Sequence, residues 1–403
     1  MPKNSLNRAL KKNIRKNVRL GSESKPVIFD AAKKGDKNSL SSLFSRGEIK
    51  RVVDDYAEQQ RELFAVKNPS LVYAPGFKEK FETYYKSLEK NAPILFHGRW
   101  AYFPWLFTVV HILEDNDFQL VRTARNRNLI SAEEQKRFYN STIGIGGLSV
   151  GNSVALAIVL QGGGRHIRLA DHDAFALSNM NRVRAGVENL GLPKVLMTAR
   201  QIYEINPYSK VEIFPEGLTR ESIKKFFAGP PKLDIVIDEL DNLAVKFLIR
   251  EQAKRYKLAV VMAADNGDNA VVDVERYDTH PKTPFFHGRM GRVSYEMLSS
   301  LDKFGIGKMI TKHVGPENVT ERMKASLLEM GKTIVSWPQL GGAALINGAA
   351  VAYCVRKILN GQPLEQNRAL ISLDEKLVPN YNSHGEKKKR AKSIRDFKKI
   401  FGL

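Results

Sequence analysis

The chain predicts an α/β fold in which a doubly wound, mostly parallel sheet is preceded by a helical and aromatic extension and flanked by basic tails. Three observations carry this expectation. From residue 141 onward short apolar runs alternate with helical stretches, the first run leads into a glycine-rich turn, GGLSVGN, and an aspartate ends the second run 24 residues after Gly147. With 403 residues, 43% of them hydrophobic, the chain is long enough to bury a substantial core.

Residues 1–25 form a basic leader. Its first twenty residues, MPKNSLNRALKKNIRKNVRL, hold seven Lys or Arg and no acid, and they lack the apolar core and cleavage site of a secretory signal. Leu6, Leu10, Ile14 and Val18 recur every four residues, which predicts a basic amphipathic helix. Residues 26–140 form a helical and aromatic segment, the natural place for substrate recognition. Over residues 26–92, GEIKRVVDDYAEQQRELFAV and GFKEKFETYYKSLEK space their apolar residues at three and four, which predicts helices. The following ILFHGRWAYFPWLFTVVHIL gathers Trp100, Tyr102 and Trp105 around a proline, either to line a substrate groove or to form a packed aromatic core. FHGR occurs twice, at 96–99 and 286–289, without wider self-similarity, so it marks no repeat.

Residues 141–375 read as a Rossmann-like nucleotide domain. STIGIG and HIRLAD are the first strands with NSVALAIVLQ as the helix between them, and KVEIFP, DIVIDE and AVVMAA follow with helices in the gaps. Residues 333–355 are free of charge and long enough to suggest a membrane span. They also carry Ser336, Pro338, Gln339 and Asn347 among many small residues, which predicts instead a buried helix starting after Pro338. Residues 376–403 form a basic tail, unstructured by itself after Glu386. Its Ile394, Phe397, Ile400 and Phe401 nevertheless recur at three and four, so a partner would find a second basic amphipathic helix there. An anionic surface, whether membrane headgroups, RNA or an acidic protein, suits both tails, and plain solubility is the competing reading.

The formal charge is +21, two thirds of it in those two tails, which leaves the body at about +7 and with no need of a nucleic-acid partner. One cysteine excludes an intramolecular disulfide and a cysteine-based zinc site, and it fits a reducing compartment such as the cytoplasm.

In a nucleotide fold a glycine-rich turn brings backbone N–H groups and a helix N-terminus against phosphate, and the acid ending the second strand takes ribose hydroxyls. Those two features alone do not separate NAD from ATP. The loop LADHDAFALSNMNR, residues 169–182, adds a second acid and a group of amide and guanidinium donors suited to a sugar with anionic phosphates. Here the sequence resembles the ThiF/MoeB-like adenylyltransferases, the family that includes ubiquitin-activating enzymes, closely over residues 122–242 and more loosely to about 373. The family's GxGGxG turn falls on Gly147, Leu148, Ser149, Val150, Gly151 and Asn152, and its D-x-D on Asp171 and Asp173. S-N-x-x-R falls on Ser178, Asn179 and Arg182, G-x-x-K on Gly191 and Lys194, N-P on Asn206 and Pro207, and D-N on Asp241 and Asn242.

The resemblance implies that Asp171 binds the ATP ribose, that Asn179, Arg182 and Lys194 hold the phosphates, and that Asp241 holds Mg²⁺. It implies a homodimer in which an arginine from RTARNRN, with Arg125 and Arg127 matching best, reaches the partner's γ-phosphate. The expected reaction is activation of a carboxylate, of a peptide or another acid, as an acyl-adenylate with release of pyrophosphate. Ser149 and Asn152 replace family glycines, so side chains there are expected to donate to phosphate or hold it further off. Cys354 lies in an apolar helix pattern and is expected to be inert, so no enzyme thioester is expected. Bland alternatives stand for three features: Ser178 and Asn179 as a helix cap, Asp173 as a loop acid, and Asp265 and Asp268 as a surface turn. His172 is the histidine beside potential metal ligands. Two other functions share parts of the pattern, a nicotinamide-dependent oxidoreductase and an RNA-directed enzyme that activates a carboxyl group on a tRNA base.

Overall fold

The computed structural model describes residues 5–11 and 23–403. The chain divides into two compact units, Met1–Gln135 with Ala199–Ser209, and Lys136–Thr198 with Lys210–Leu403.

The first unit holds a four-stranded sheet of β1 (Val27–Phe29), β2 (Arg51–Asp54), β3 (Arg99–Phe103) and β4 (Thr108–Ile112), in the order β1-β3-β4-β2. The purely helical reading of residues 26–92 is therefore corrected. In GEIKRVVDDYAEQQRELFAV the helix begins only at Tyr56, while the β-branched pair Val52 and Val53 lies opposite Val109 and Val110 of the parallel strand β4. Trp100 and Tyr102 are buried core residues, and Tyr102 also lines a cavity of about 690 Å³ with Phe29, Leu43 and Phe107. Their polar ends are satisfied by the Leu95 and Glu48 carbonyls, at 3.0 and 3.1 Å. Fully buried His111 lies stacked between Tyr56 and Trp100, with ring centroids at 4.0 and 4.3 Å. Trp105 donates to Glu204 at 2.6 Å beneath the Arg200 guanidinium. In the leader, residues 5–11 are helical and expose Leu6 and Leu10; Ile14 and Val18 lie outside the described residues.

The second unit is built on a seven-stranded sheet: β5 (Thr142–Gly146), β6 (His166–Ala170), β7 (Lys210–Phe214), β8 (Ile235–Asp238), β9 (Ala259–Asn266), β10 (Asn269–Arg276) and β11 (Asn367–Ile371). The order is β11-β10-β9-β8-β5-β6-β7. The five strands from β7 to β9 are parallel, and β10 and β11 extend the sheet antiparallel. The chain moves from β5 outward through β6 and β7, then returns to place β8 on the other side of β5. That reversal opens a crevice at the carboxyl ends of β5 and β8, where ligands of such sheets bind.

The helix Val150–Leu160 is apolar all round because it is buried nearly throughout. Against it runs Gly341–Leu359, which starts three residues after Pro338 as expected. A Cβ on Gly348 would sit 2.8 Å from the Ser153 carbonyl carbon, so small residues are what let these two backbones approach. Among the described residues Gly341–Leu359 is the one helix long and apolar enough to cross a membrane, and half of its apolar window is buried inside this unit.

The basic C-terminal segment is not unstructured. It forms the helix His384–Phe401 and buries Phe397 among Val271, Val314, Val319, Met323 and Leu327. A lone helix of this kind is marginal in water, and the docked apolar face stabilises it.

Candidate active site

The first strand of the crevice ends in a turn that requires glycine. Gly147 has φ +83°, and a Cβ there would lie 2.2 Å from the Glu239 carbonyl oxygen just beyond β8. The Gly147 N–H donates to the Ala170 carbonyl at 2.8 Å, tying the turn to β6. At Gly151 a Cβ would meet Ile145 at 3.2 Å, so this glycine serves close packing of helix on strand. The first turn of the helix Val150–Leu160 leaves its N–H groups facing the crevice end of the sheet, where phosphate is favoured.

The expected side-chain phosphate donors in this turn are only partly placed there. Ser149 Oγ accepts from Arg182 Nε at 2.9 Å, so it positions the guanidinium. Asn152 is fully buried and donates to Thr198 at 3.0 Å, which turns it inward, away from a role in phosphate contact.

Asp171, at the end of β6, is buried and organises the loops. One carboxylate oxygen accepts from the Leu148 N–H at 2.7 Å and the other from the Asp173 N–H at 2.8 Å. Lys194, the first residue of the helix Lys194–Ile205, is also buried; its Nζ lies 2.8 Å from Asp173 and 3.9 Å from Asp171. The Lys194 hydrogen bond holds the Asp173 carboxyl below the usual carboxylate range. Asp173 is thus the counter-ion of Lys194 rather than a plain loop acid. Asn179 Oδ1 accepts from the Ala176 N–H at 2.9 Å, a loop-closing bond that leaves its amide NH₂ as donor. Arg182 is half-buried and braced by Ser149, the Ser178 carbonyl and Asn181. Burial lowers its pKa, and Asp265 and Asp241 oppose that shift.

Asp241 follows β8 and is exposed, with no hydrogen bond or ion pair among the described residues, which leaves a hard oxygen donor available for a divalent cation. Asn242 serves the fold instead, because its Oδ1 caps the helix Leu243–Tyr256 by accepting from the Ala244 and Val245 N–H groups at 3.0 and 3.1 Å. Asp265 corrects the surface-turn expectation. It is buried near the end of β9, accepts from Asn347 at 2.5 Å and from Gln339 at 3.1 Å, and desolvation pushes it up to about 6. Only Asp268 sits exposed in the turn itself.

Other expected residues fall elsewhere. Asn206 and Pro207 belong to the first unit, where buried Asn206 accepts from Gln119 at 2.9 Å and supports that fold. Arg125 and Arg127 lie in the first unit too, both exposed and without an ion pair among the described residues. His172 is exposed; its nitrogen and the Asp171 and Asp173 oxygens lie within 4.8 Å of one another, but Asp171 and Asp173 are already engaged as described. Cys354 is buried in Gly341–Leu359 and its thiol is pushed up to about 11 by burial, so it is a poor nucleophile.

The chain is 37% identical over 312 residues to the uncharacterized protein MT1398 of Mycobacterium tuberculosis, covering 77% of this chain and 43% of that one. It is 29% identical over 160 residues to a sulfur carrier protein adenylyltransferase of Thermus thermophilus, covering 40% and 55%. The chain therefore spans about half the length of these two relatives. Among solved structures, PaaA is similar with 21% identity and a TM-score of 0.45, over 64% of this chain and 77% of that one. The ThiF family matches residues 123–373, well over half of the sequence, and the chain belongs to that family.

Proposed function

We propose that the protein is an ATP-dependent adenylyltransferase that activates a carboxylate without an enzyme thioester. The observation that carries this reading is the convergence, at the carboxyl ends of β5, β6 and β8, of the Gly147 turn, the braced Arg182 guanidinium, buried Lys194 and unpartnered Asp241. A hydride-transfer enzyme needs the turn and Asp171 but has no use for the other three.

In the proposed reaction a substrate carboxylate oxygen bonds to the α-phosphorus of ATP while the bond to the bridging oxygen of the β-phosphate breaks. Pyrophosphate leaves with that electron pair. Arg182, kept at one angle by Ser149 and Ser178, grips phosphate oxygens, and Lys194 exchanges Asp173 for phosphate and supplies a point charge. Asp171 keeps Leu148 and Asp173 in place and faces the sugar. Asp241 would hold Mg²⁺, whose chemistry is charge neutralisation on the leaving pyrophosphate. Exposed Arg125 and Arg127 suit a homodimer in which each subunit lends a guanidinium to its partner's triphosphate. The setting we propose is the cytoplasm.

The test is ATP–pyrophosphate exchange against peptides, small acids and tRNA. Exchange is expected with an acid, and Arg182→Ala or Lys194→Ala should each lower it by about 10²- to 10³-fold in folded protein. A mixture of Arg127→Ala and Arg182→Ala subunits should regain activity if the site is shared. Calorimetric binding of NAD in place of ATP would overturn the reading.

A further inference from the structure

We infer that Gln339 and Asp265 are positioning residues that hold the Arg182 guanidinium at a fixed angle toward the triphosphate; this rests on the adenylation reading. The need for them arises in the loop that carries Arg182. β6 ends at Ala170 and the next α-helix starts at Lys194, and the stretch between holds no regular element longer than the three-residue turns Leu177–Asn179 and Val187–Asn189. Buried Val183 packs on Phe175 and Met197 and fixes the backbone, while the Arg182 side chain runs out to Ser149.

Two partners of Arg182, the Ser178 carbonyl at 3.0 Å and Asn181 Oδ1 at 2.9 Å, belong to the same loop and would move with it. Ser149 Oγ, at 2.9 Å, ties the guanidinium to the turn after β5, through a hydroxyl that can rotate. A second tie runs through Asn181, whose amide works at both ends: its Oδ1 receives Arg182, and its Nδ2 donates to the Gln339 carbonyl at 2.7 Å. Gln339, 158 residues further along the chain, is anchored in turn, because its side chain donates to Asp265 Oδ2 at 3.1 Å. Gly341 completes the seat, since a Cβ there would lie 2.5 Å from the Asn181 carbonyl oxygen.

The far end of this path is rigid. Asp265 is buried near the end of β9, and its Oδ1 accepts from Asn347 at 2.5 Å. Fully buried Asn347 turns its NH₂ to Asp265 and leaves its own Oδ1 without a hydrogen-bond partner, so the carboxylate is held even though another polar atom goes unsatisfied. Arg182 and Asp265 also favour each other's charged form. A guanidinium tied to the sheet at one point can swing; tied at two it is pre-organised, and pre-organised charge is what speeds the departure of an anion.

The experiment is ATP–pyrophosphate exchange by the full chain with whichever peptide, small acid or tRNA supports it. Gln339→Leu is expected to lower kcat by about 10- to 100-fold while KM for ATP stays within about threefold, because Arg182 remains charged beside the triphosphate. On an Arg182→Ala background the same substitution should lower kcat by less than about twofold, since no guanidinium is left to position. Gln339→Glu sets carboxylate against carboxylate and should also impair exchange. Adding Asp265→Asn to it swaps donor and acceptor, keeps an oxygen for Asn347, and should restore kcat to within about threefold of the unaltered protein. A Gln339→Leu loss below about twofold, an equal loss on the Arg182→Ala background, or no recovery in the swapped pair would each overturn the proposal. Should the unaltered protein exchange with none of the probes, the adenylation reading fails, and the positioning is judged by the Arg182 Nε–H resonance, identified by its loss in Arg182→Ala. Exchange of that proton with water about tenfold faster in Gln339→Leu sustains the positioning, and unchanged exchange overturns it.

Discussion

Phe397→Ala tests whether the basic C-terminal helix is part of the second unit or an appendage. Phe397 is 3% exposed and closes an apolar cluster with Val271, Val314, Val319, Met323 and Leu327. Burial of a phenylalanine contributes roughly 1.5–3 kcal/mol, and truncation to alanine with an unfilled cavity costs about 3–5 kcal/mol. Among the described residues its other anchors include half-buried Ile394, the Arg390 guanidinium 3.9 Å over the Tyr381 ring, and Ser393, which bonds Glu321 at 2.5 Å and Lys324 at 3.0 Å. Such partly exposed bonds contribute on the order of 1 kcal/mol each. A loss of about 3 kcal/mol is comparable with what remains, so the helix should open far more often while the sheet stays folded. Hydrogen exchange followed by mass spectrometry should show protection over 384–401 falling by about 10²-fold, with protection of β5 and β6 unchanged. Protection within about threefold of the unaltered protein would refute the reasoning.

Three further outcomes follow from the geometry. Gly147→Ala combines a left-handed φ with contact against the Glu239 backbone, so it should destabilise the second unit by about 3 kcal/mol or more in urea melts and abolish ATP binding by calorimetry. Cys354→Ala should cost about 1 kcal/mol, since Cys354 is buried beside an apolar cavity of about 530 Å³, and should leave pyrophosphate exchange intact with no acyl group trapped on a thiol in either protein. Asp265, raised to about 6, retains its proton in the folded state over a range where the unfolded chain has lost it. Its contribution to stability is full below about pH 4 and declines until about pH 6, by up to about 3 kcal/mol. Asp265→Asn should remove that decline, so its stability relative to the unaltered protein should improve between about pH 4 and pH 7 in paired urea melts.

The residues around the β5–β8 crevice were legible because their spacing is local: a glycine turn, an acid one strand later, and a donor cluster in the loop that follows. What the sequence hides is contact over long separations. ADNGDN looks like a polar turn, and Asp265 becomes a buried carboxyl only because Gln339 and Asn347, 74 and 82 residues further on, fold over it. The strand β2 is four residues long and merges with the helix after it, so only its pairing with β4 distinguishes it. Asn242 matched the motif and turned out to cap a helix, since a motif position does not reveal which donor its oxygen meets. The basic tail presented charge to the eye, whereas Phe397 decides where it lies.

The order in which the chain visits its two units limits how the protein can be cut and recombined. The first unit is left at Gln135 and regains material only with Ala199–Ser209. Those eleven residues are not filler: Tyr208 donates to the Leu113 carbonyl at 2.6 Å, Asn206 receives Gln119 at 2.9 Å, and Glu204 receives Trp105 at 2.6 Å. A fragment ending at Gln135 would leave these donors and acceptors stranded, and the complementary piece would carry buried Ala199, Ile202 and Tyr203 without the unit to which they belong. Grafting the first unit of one relative onto another therefore takes three crossovers, one after residue 135 and two bracketing 199–209. A chimera with a single junction should be insoluble even when both parents express well.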